Sequence, residues 1–221
     1  MKKFLLGIFA ILIIVLGALS YLGLLPFMTP LAPRAVDLGM TPDPEFVSSF
    51  ETKYGQVNSQ GAIDLEVDLS DQDITSILYT WGERDKYFPL HDVQIRFNQD
   101  GTGEASGYLK IVTAVNLAKN LGYTDHDIEE GKKYINYVSG DLPIYVKGKG
   151  GMKNNILSIN PSTFQVGRVT VPDNITSLVV PAVSDMITRR LEQIGGANIR
   201  EASFENGAFH LDGTVPATIK Y

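Results

Sequence analysis

The sequence of 221 residues contains no cysteine. This absence excludes a disulfide-stabilised scaffold, a thiolate metal site and a cysteine nucleophile. Beyond the apolar run Phe4–Leu25 there is no second long hydrophobic stretch, so a protein with several transmembrane helices is excluded as well. With 44% hydrophobic and 20% charged residues, most of the chain is expected to fold and not to be disordered.

Basic residues are fewer than acidic ones, with 19 Lys and Arg against 25 Asp and Glu. Lys2 and Lys3 precede the apolar run, so the part that follows it carries 17 basic and 25 acidic residues and a net charge of −8. An acidic domain is not expected to bind nucleic acid, which requires a basic surface. The same balance argues against broad electrostatic adhesion to an anionic membrane leaflet.

The run Phe4–Leu25 is 22 residues long and contains no charged residue and no proline. A bilayer core is crossed by about 20 apolar residues of helix, so residues 1–25 are predicted to be a single membrane anchor. Because Lys2 and Lys3 come before the run, the positive-inside rule places the N-terminus in the cytoplasm and the rest of the chain outside the cell membrane. The alternative is a signal peptide cleaved near 18–20, which the continued hydrophobicity up to Leu25 makes less favourable.

Residues 26–59 are predicted to be an extended tether with a short helix over Glu45–Tyr54 that ends at Gly55. Prolines stiffen an extended chain and interrupt helices. Five of them punctuate the first part of this stretch: Pro26, Pro30, Pro33, Pro42 and Pro44.

An exported domain is predicted over residues 60–221, beginning with a strand at Ala62–Leu69, where apolar and acidic residues alternate. Ser70 and Asp73 have the spacing of a capping box at a helix start. One apolar face of that helix is formed by Ile74, Ile77, Leu78 and Trp81, and Gly82 is predicted to end it. A hairpin then follows, with strands at 93–97 and Glu104–Thr113 around the turn Asn98–Gly101.

The order of one helix and one hairpin recurs twice further along the chain. The second helix is predicted to open at Thr124 and Asp127 and to end at Gly140. Its apolar residues are Ile128, Tyr134, Ile135 and Val138. The third helix is predicted to open at Asp173 or Pro181 and to end at Gly195. The third helix is expected to pack through Val183, Met186, Ile187, Leu191 and Ile194. The corresponding strands are Leu142–Gly150 with Ile156–Val169, and Ile199–Phe204 with Ala208–Ile219 around the turn Asn206-Gly207.

Three helix-plus-hairpin units predict an α+β fold built on a long antiparallel sheet that packs on amphipathic helices. The alternation fits two arrangements equally well. One is an ordinary closed core, and the other is a curled sheet that leaves a gap for an apolar ligand.

The final third of the chain resembles small bacterial envelope proteins related to the tubular lipid-binding (TULIP-like) superfamily. The segments that carry the resemblance are Leu142–Gly148, Phe164–Pro172 and Ala202–Gly213, separated by an amphipathic helix. The resemblance implies a curled sheet wrapped about helices and an elongated apolar groove. It also implies a role in holding or moving lipid at the cell envelope, with a phospholipid or another acyl-chain molecule as the ligand.

Candidate groove residues come from the apolar faces of the predicted elements, although for each residue taken alone the pattern favours ordinary core packing over ligand contact. They are Ile74, Leu78, Trp81, Ile95, Phe97, Leu109, Ile111, Met186, Ile187, Phe209 and Leu211. The alternative function is an envelope scaffold or protein-interaction domain whose closed core holds no ligand. The sequence identifies no protein partner.

No catalytic set is predicted, and an exported hydrolase is the weakest interpretation. The three histidines, His91, His126 and His210, lie on different predicted elements, and no nucleophile elbow, HExxH or Walker motif is present. The acids of 125–127 are interpreted as helix-capping groups and not as metal ligands. The run 148–151 is interpreted as a bulge and not as a phosphate loop. No metal and no cofactor are therefore predicted.

Overall fold

The computed structural model describes residues 34–58, 61–132 and 140–216, and of residues 130–132 the backbone alone. The predicted anchor 1–25 lies outside these residues, as do the predicted helix positions Tyr134, Ile135 and Val138. Within the described part of the chain, no helix combines the length and the hydrophobicity needed to cross a bilayer.

Five helices and eight strands make up the described residues. The helices are α1 (Phe46–Tyr54), α2 (Asp71–Arg84), α3 (Ile111–Asn120), α4 (Asp125–Lys132) and α5 (Asp173–Gln193). The strands are β1 (Ala62–Leu69), β2 (Leu90–Phe97), β3 (Gly103–Lys110), β4 (Asp141–Lys153), β5 (Ile156–Val166), β6 (Val169–Thr170), β7 (Asn198–Glu205) and β8 (Ala208–Pro216).

All eight strands pair antiparallel in one sheet, in the order β1-β8-β7-β4-β3-β2, with β5 and β6 on the other side of β4. The long strand β4 pairs with β3 over residues 141–148 and with β7 over 151–153. Since β5 occupies the opposite side of β4, the hairpins β2–β3 and β7–β8 lie end to end along one side of it. The α+β class and the antiparallel sheet are confirmed.

The sheet is not curled, so that part of the prediction is wrong. Its two end strands, β1 and β2, do not pair with each other. The physical reason is the end-to-end placement of the two hairpins along β4, which lengthens the sheet and does not bring its ends together. The predicted two-residue turn Asn206-Gly207 is confirmed. The turn between β4 and β5 is Asn154-Asn155, and all four residues have the positive φ that tight hairpin turns require.

Helix α3 was not predicted. Residues 111–113, expected to end the strand that began at Glu104, form its first turn instead. The β-branched run Ile111-Val112-Thr113 favours a strand locally. The following Ala114, Leu117 and Ala118 favour a helix, and the helix extends back over the β-branched residues.

The two faces of the sheet differ in polarity, as the alternation in β1 predicts. Residues that oppose each other in the register share a face. Leu65, Val67 and Leu69 are buried, and they lie opposite Gly213, Leu211 and Phe209 of β8. The acidic residues between them are exposed on the other face. We refer to these as the apolar face and the polar face.

Helix α2 begins with the predicted capping box but buries a different side from the one predicted. The Ser70 hydroxyl accepts a hydrogen bond from the Asp73 amide, and the Asp73 carboxylate accepts one from the Ser70 amide. The buried residues of α2 are Thr75, Ser76 and Thr80, whereas Trp81 is 40% exposed.

The reason for this burial is that α2 lies along the outer edge of β2. The Ile95 amide donates to Thr75 Oγ1 and the Phe97 amide donates to Asp71 Oδ1, each at 3.1 Å. These side chains satisfy edge amides that would otherwise be available to another chain. The helix also continues two residues past Gly82, to Arg84, so the predicted end was wrong.

Helix α5 covers the outer edge of β5 in a related way. The Ser184 hydroxyl donates to the Leu157 carbonyl, and Thr188 Oγ1 donates to the Asn155 carbonyl at 3.4 Å. The helix opens at Asp173, and none of its 21 residues is buried. Of the predicted packing face, Val183 and Ile187 are exposed, and the remaining positions are half-buried: Met186, Leu191 and Ile194.

Candidate apolar binding surface

Three phenylalanine rings meet on the apolar face where the hairpins β2–β3 and β7–β8 approach each other. The ring of Phe97 stacks on Phe204 with centroids 5.8 Å apart and on Phe209 with centroids 5.9 Å apart. Phe204 and Phe209 lie directly opposite each other in the β7–β8 register. All three rings are half-buried. We refer to Phe97, Phe204 and Phe209 as the phenylalanine cluster.

Gly103 of the neighbouring strand β3 makes room for this cluster, and Gly150 of β4 lies in ordinary contact with it. A Cβ built on Gly103 would lie 3.3 Å from the Phe204 ring, and one on Gly150 would lie 3.5 Å from it. The ring of Phe204 therefore lies against the backbone of β3 and β4. At the hairpin tips, Gln99 Nε2 donates to the Asn206 carbonyl at 3.4 Å, which joins the two hairpins beside the cluster.

Small residues continue from the cluster along the apolar face. In β3, Gly103, Ala105 and Gly107 share that face because they alternate along one strand. Gly103 lies opposite Gly148 of β4. Larger side chains flank these positions on the same face, since Ala105 lies opposite Ile95 and Val146 and Gly107 lies opposite Ile144, so the small residues form a row between them.

The candidate groove residues of the strands all lie on the apolar face and are half-buried: Ile95, Phe97, Leu109, Phe209 and Leu211. Among them the structure brings Phe97 and Phe209 into ring contact. Leu211 lies opposite Val67 and Ala202, and Leu109 lies opposite Leu90 and Leu142.

The candidate groove residues of the helices are distributed over three elements. Ile74, Leu78 and Trp81 are on α2, Ile111 is on α3, and Met186 and Ile187 are on α5. Trp81 packs edge-to-face on Phe88, with ring centroids 6.3 Å apart. Placing Ile111 on a helix corrects its predicted position at the end of a strand.

Phe204 was missed as a candidate, although the sequence contains the signal for it. The two-residue turn Asn206-Gly207 fixes the hairpin register, so the residues flanking it pair as Glu205 with Ala208 and Phe204 with Phe209. Choosing Phe209 as a candidate therefore required choosing Phe204 too.

A shallow open cavity of about 310 Å³ lies elsewhere in the sheet, at the junction of β4, β5 and β7. Its lining includes Lys149, Lys153 and Glu201, which belong to the polar face, and it shares no residue with the candidate groove set. The run Gly148–Gly151 beside it is a bulged strand, as predicted, because the register shifts between Lys147 and Gly148. A Cβ on Gly148 would lie 2.4 Å from the Asn160 carbonyl oxygen, so close strand packing requires this glycine.

Two of the histidines, His91 and His210, lie within hydrogen-bond distance of carboxylates in separate parts of the sheet. His91 Nδ1 lies 3.0 Å from Asp92 and its Nε2 lies 2.9 Å from Asp141, while its ring stacks on Tyr108. His210 Nδ1 lies 2.9 Å from Asp68. The hydrogen bond with the Asp68 carboxylate raises the pKa of His210 above its ordinary value, since it favours the charged imidazolium.

The acids near His126 cap a helix, as predicted. Thr124 Oγ1 accepts from the Asp127 amide, and Asp127 Oδ2 accepts from the Thr124 amide. The Thr124 hydroxyl also donates to Asp127 Oδ2, and this bond together with that from the Thr124 amide lowers the pKa of Asp127 because both favour its carboxylate. Among residues 34–58, 61–132 and 140–216, no group of three or more histidine and acidic side chains has the geometry to hold a metal ion.

Glu104 stands out on the polar face because it is largely buried yet ionised. It accepts hydrogen bonds from Asn98 at 2.9 Å and from the Tyr145 hydroxyl at 2.8 Å. Burial opposes ionisation of Glu104, but these hydrogen bonds outweigh burial and lower its pKa. In turn, burial and the bond to Glu104 raise the pKa of Tyr145 to about 12. The network joins β3 to β4 and the β2–β3 turn, so a structural role accounts for it.

No protein-family model, no curated protein and no solved structure matches the chain. The resemblance to the TULIP-like superfamily therefore stays a prediction.

Proposed function

We propose that the chain is a membrane-anchored, extracytoplasmic protein that binds the acyl chain of a lipid without catalysing a reaction. The observation that carries this proposal is the half-buried phenylalanine cluster, in which rings from three strands stack beside a glycine-lined part of the apolar face. The membrane attachment rests on the sequence of Phe4–Leu25.

Hydrophobic burial alone is sufficient for such a ligand. Each methylene removed from water contributes about 0.8 kcal/mol, so ten sheltered methylenes contribute about 8 kcal/mol before the costs of association. Aromatic rings offer large contact areas to an alkyl chain with few rotatable bonds of their own. No basic partner is required, which agrees with the net charge of −8 in the predicted exported part.

The helices beside the sheet support the same proposal. Trp81 of α2 is 40% exposed, and Val183 and Ile187 of α5 are 38% and 36% exposed. Apolar side chains left accessible on two helices provide further surface for an alkyl chain.

A protein-interaction domain is the second candidate function. The observation that favours it is the exposed apolar surface of α5, where Leu178 is 57% exposed in addition to Val183 and Ile187. In that case α5 would bind another protein and the phenylalanine cluster would be ordinary core.

Photolabelling of the full chain in nanodiscs separates the two functions. A phospholipid with a photoactivatable group in its acyl chain is incorporated, and cross-linked peptides are mapped by mass spectrometry. We expect labelling of peptides that contain Phe97, Phe204 and Phe209, and a severalfold loss of that labelling in Phe209→Ala. Phe50→Ala is the matched control, since Phe50 belongs to a separate aromatic stack with Phe46 and Tyr54 on α1.

Labelling confined to the membrane segment, or unchanged labelling of the cluster peptides in Phe209→Ala, would contradict lipid binding at the cluster. Both variants are first compared by circular dichroism, so that loss of fold is distinguished from loss of the surface.

A further inference from the structure

In the part of the chain that the structure describes, the sheet has three outer edges, and two of them are covered by helices. Hydroxyl and carboxylate groups of α2 bind the edge amides of β2, and hydroxyl groups of α5 bind edge carbonyls at β5. The third edge is the outer side of β1. This strand pairs with β8 on its inner side and is the last strand in the order, so no described strand pairs with its outer side.

The direction of the β1 backbone groups follows from Ala62. Its amide donates to Asn58 Oδ1 and its carbonyl accepts from the Asn58 amide, so both groups point away from β8. Its partner in β8 is Pro216, which has no amide hydrogen to offer. Because alternate residues of an antiparallel strand point their backbone groups the same way, those of Asp64, Glu66 and Asp68 also point outward.

These outward groups are available to another chain. Within the described residues, no strand pairs with this side of β1, and no side chain hydrogen-bonds the backbone of Asp64, Glu66 or Asp68. The three side chains are exposed, whereas Leu65, Val67 and Leu69 between them are buried. A strand added here would gain up to six backbone hydrogen bonds and continue an existing apolar face.

The charge of this edge indicates what can bind to it. Asp64, Glu66 and Asp68 form an acidic row on the polar face, and the carboxylate of Asp68 pairs with His210. In a second copy of β1 paired antiparallel, acids would oppose acids, which is destabilising across strands. Lysine or arginine at every second position of an added strand would oppose the row favourably.

We propose that the outer edge of β1 is a docking edge for an extended segment of a partner protein in which basic and apolar residues alternate. The basic residues face Asp64, Glu66 and Asp68, and the apolar residues extend the face that contains Leu65 and Val67. This interaction does not depend on lipid binding, because it uses the outer edge of β1 and not the phenylalanine cluster.

Hydrogen exchange of the full chain in phosphatidylcholine nanodiscs tests the proposal. The probe is an eight-residue peptide of alternating lysine and valine, and the comparison peptide has glutamate in place of lysine. We expect the lysine peptide to slow exchange of the amides of Asp64, Glu66 and Asp68. The amides of Leu65 and Val67, which already bond to β8, should change little.

Reversing one charge of the row sharpens the test. We expect Glu66→Lys to weaken binding of the lysine peptide by about tenfold, since one favourable cross-strand pair becomes unfavourable. Glu201→Lys is the matched control, because Glu201 is exposed on the polar face of the interior strand β7. Glu201→Lys should change the affinity for the lysine peptide by no more than about twofold, because salt screens a charge that lies away from the docking edge.

Three outcomes would overturn the proposal. One is the absence of protection at Asp64, Glu66 and Asp68 with the lysine peptide. Another is equal protection by the lysine and glutamate peptides. The third is protection of these amides in the protein alone that grows with its concentration, which would make a second copy the occupant.

Discussion

Helices α2 and α5 perform the same task at two edges of one sheet, yet they are attached very differently. Thr75 of α2 is fully buried and accepts the edge amide of Ile95. Ser184 and Thr188 of α5 are only partly buried and donate to edge carbonyls. A capping box fixes the start of α2, whereas α5 starts after Pro172 with no side-chain cap.

The comparison predicts that burial of a hydrogen bond, and not its presence alone, decides how firmly a helix is held at a sheet edge. A buried amide that loses its acceptor has no water to replace it. A partly exposed carbonyl that loses its donor binds water instead. We therefore infer that α2 is part of the folded core and that α5 is the cover that separates more easily from the sheet, on the side where exposed apolar residues lie.

The largest expected effect is at Pro181, in the interior of α5. Proline removes one helical hydrogen bond and crowds the preceding turn, so Pro181→Ala should stabilise α5 against local opening by as much as about 3 kcal/mol. Hydrogen exchange of the amides of residues 182–190 measures this change. Pro172→Ala is the control, since at the N-cap no helical hydrogen bond is regained. Equal exchange in the wild-type chain and in Pro181→Ala would show that opening of α5 is not limited by its proline.

The same substitution in both helices tests the role of burial directly. Thr75→Val removes the acceptor of the Ile95 amide at a side-chain position that is fully buried, and it should lower the free energy of unfolding by about 1–3 kcal/mol. Thr188→Val should change it by less than about 0.5 kcal/mol, because the Asn155 carbonyl can bind water. Both variants replace threonine by valine in a helix, so the change in helix propensity is the same and cancels when their free energies of unfolding are compared. Urea unfolding measures the difference, and equal losses would remove the distinction between the two helices.

Loss of the helix cap is expected to be a smaller effect. Ser70→Ala removes the acceptor for the Asp73 amide and should destabilise the protein by about 1 kcal/mol. Ser177→Ala is the matched change in the first turns of α5, where the hydroxyl donates to the Asn174 carbonyl at the surface. It should fall within about 0.5 kcal/mol of the wild type. A loss at Ser177 as large as that at Ser70 would show that the two helix starts are equally important.

Much of the fold was predictable because its signals are local. The alternation of Ala62–Leu69, the capping box of Ser70 and Asp73, and the turn at Asn206-Gly207 each depend on a few neighbouring residues. The open sheet was not predictable in this way. It depends on the hairpins β2–β3 and β7–β8 sharing one side of β4, which is a long-range arrangement that no local pattern encodes.

The packing side of α2 shows a second limit of the sequence. Periodicity selects Ile74, Leu78 and Trp81 as the buried side because it counts apolar residues. The structure buries Thr75, Ser76 and Thr80, because a helix beside a sheet edge needs side chains that bind backbone groups. The same reasoning applies to the candidate site. The strand residues of the apolar face were found by alternation, whereas Phe204 required the register of a hairpin.

The smallest expected effect concerns the contact between α5 and the loop before α4. The Tyr123 hydroxyl donates to the Asp185 carboxylate, and Arg189 lies over the Tyr123 ring and pairs with Asp185. The hydrogen bond from Tyr123, followed by that from Arg189, lowers the pKa of Asp185 below its ordinary value of 3.8. Burial and the bond to Asp185 raise the pKa of Tyr123 to about 12, so the phenol remains a donor at neutral pH.

The sign of the pH dependence follows from these directions. A carboxyl group whose pKa is lower in the folded state stabilises that state above its ordinary pKa, and this stabilisation is lost as the pH falls through the folded value. The attachment of α5 should therefore weaken in acid, below about pH 4, and not near neutrality. Carbon-13 NMR of the Asp185 carboxyl measures its titration midpoint. In Tyr123→Phe the midpoint should rise toward that of an ordinary aspartate, while Tyr145→Phe, which removes the bond to Glu104, should leave it unchanged. A midpoint unaffected by Tyr123→Phe would mean that this hydrogen bond does not tie α5 to the rest of the domain.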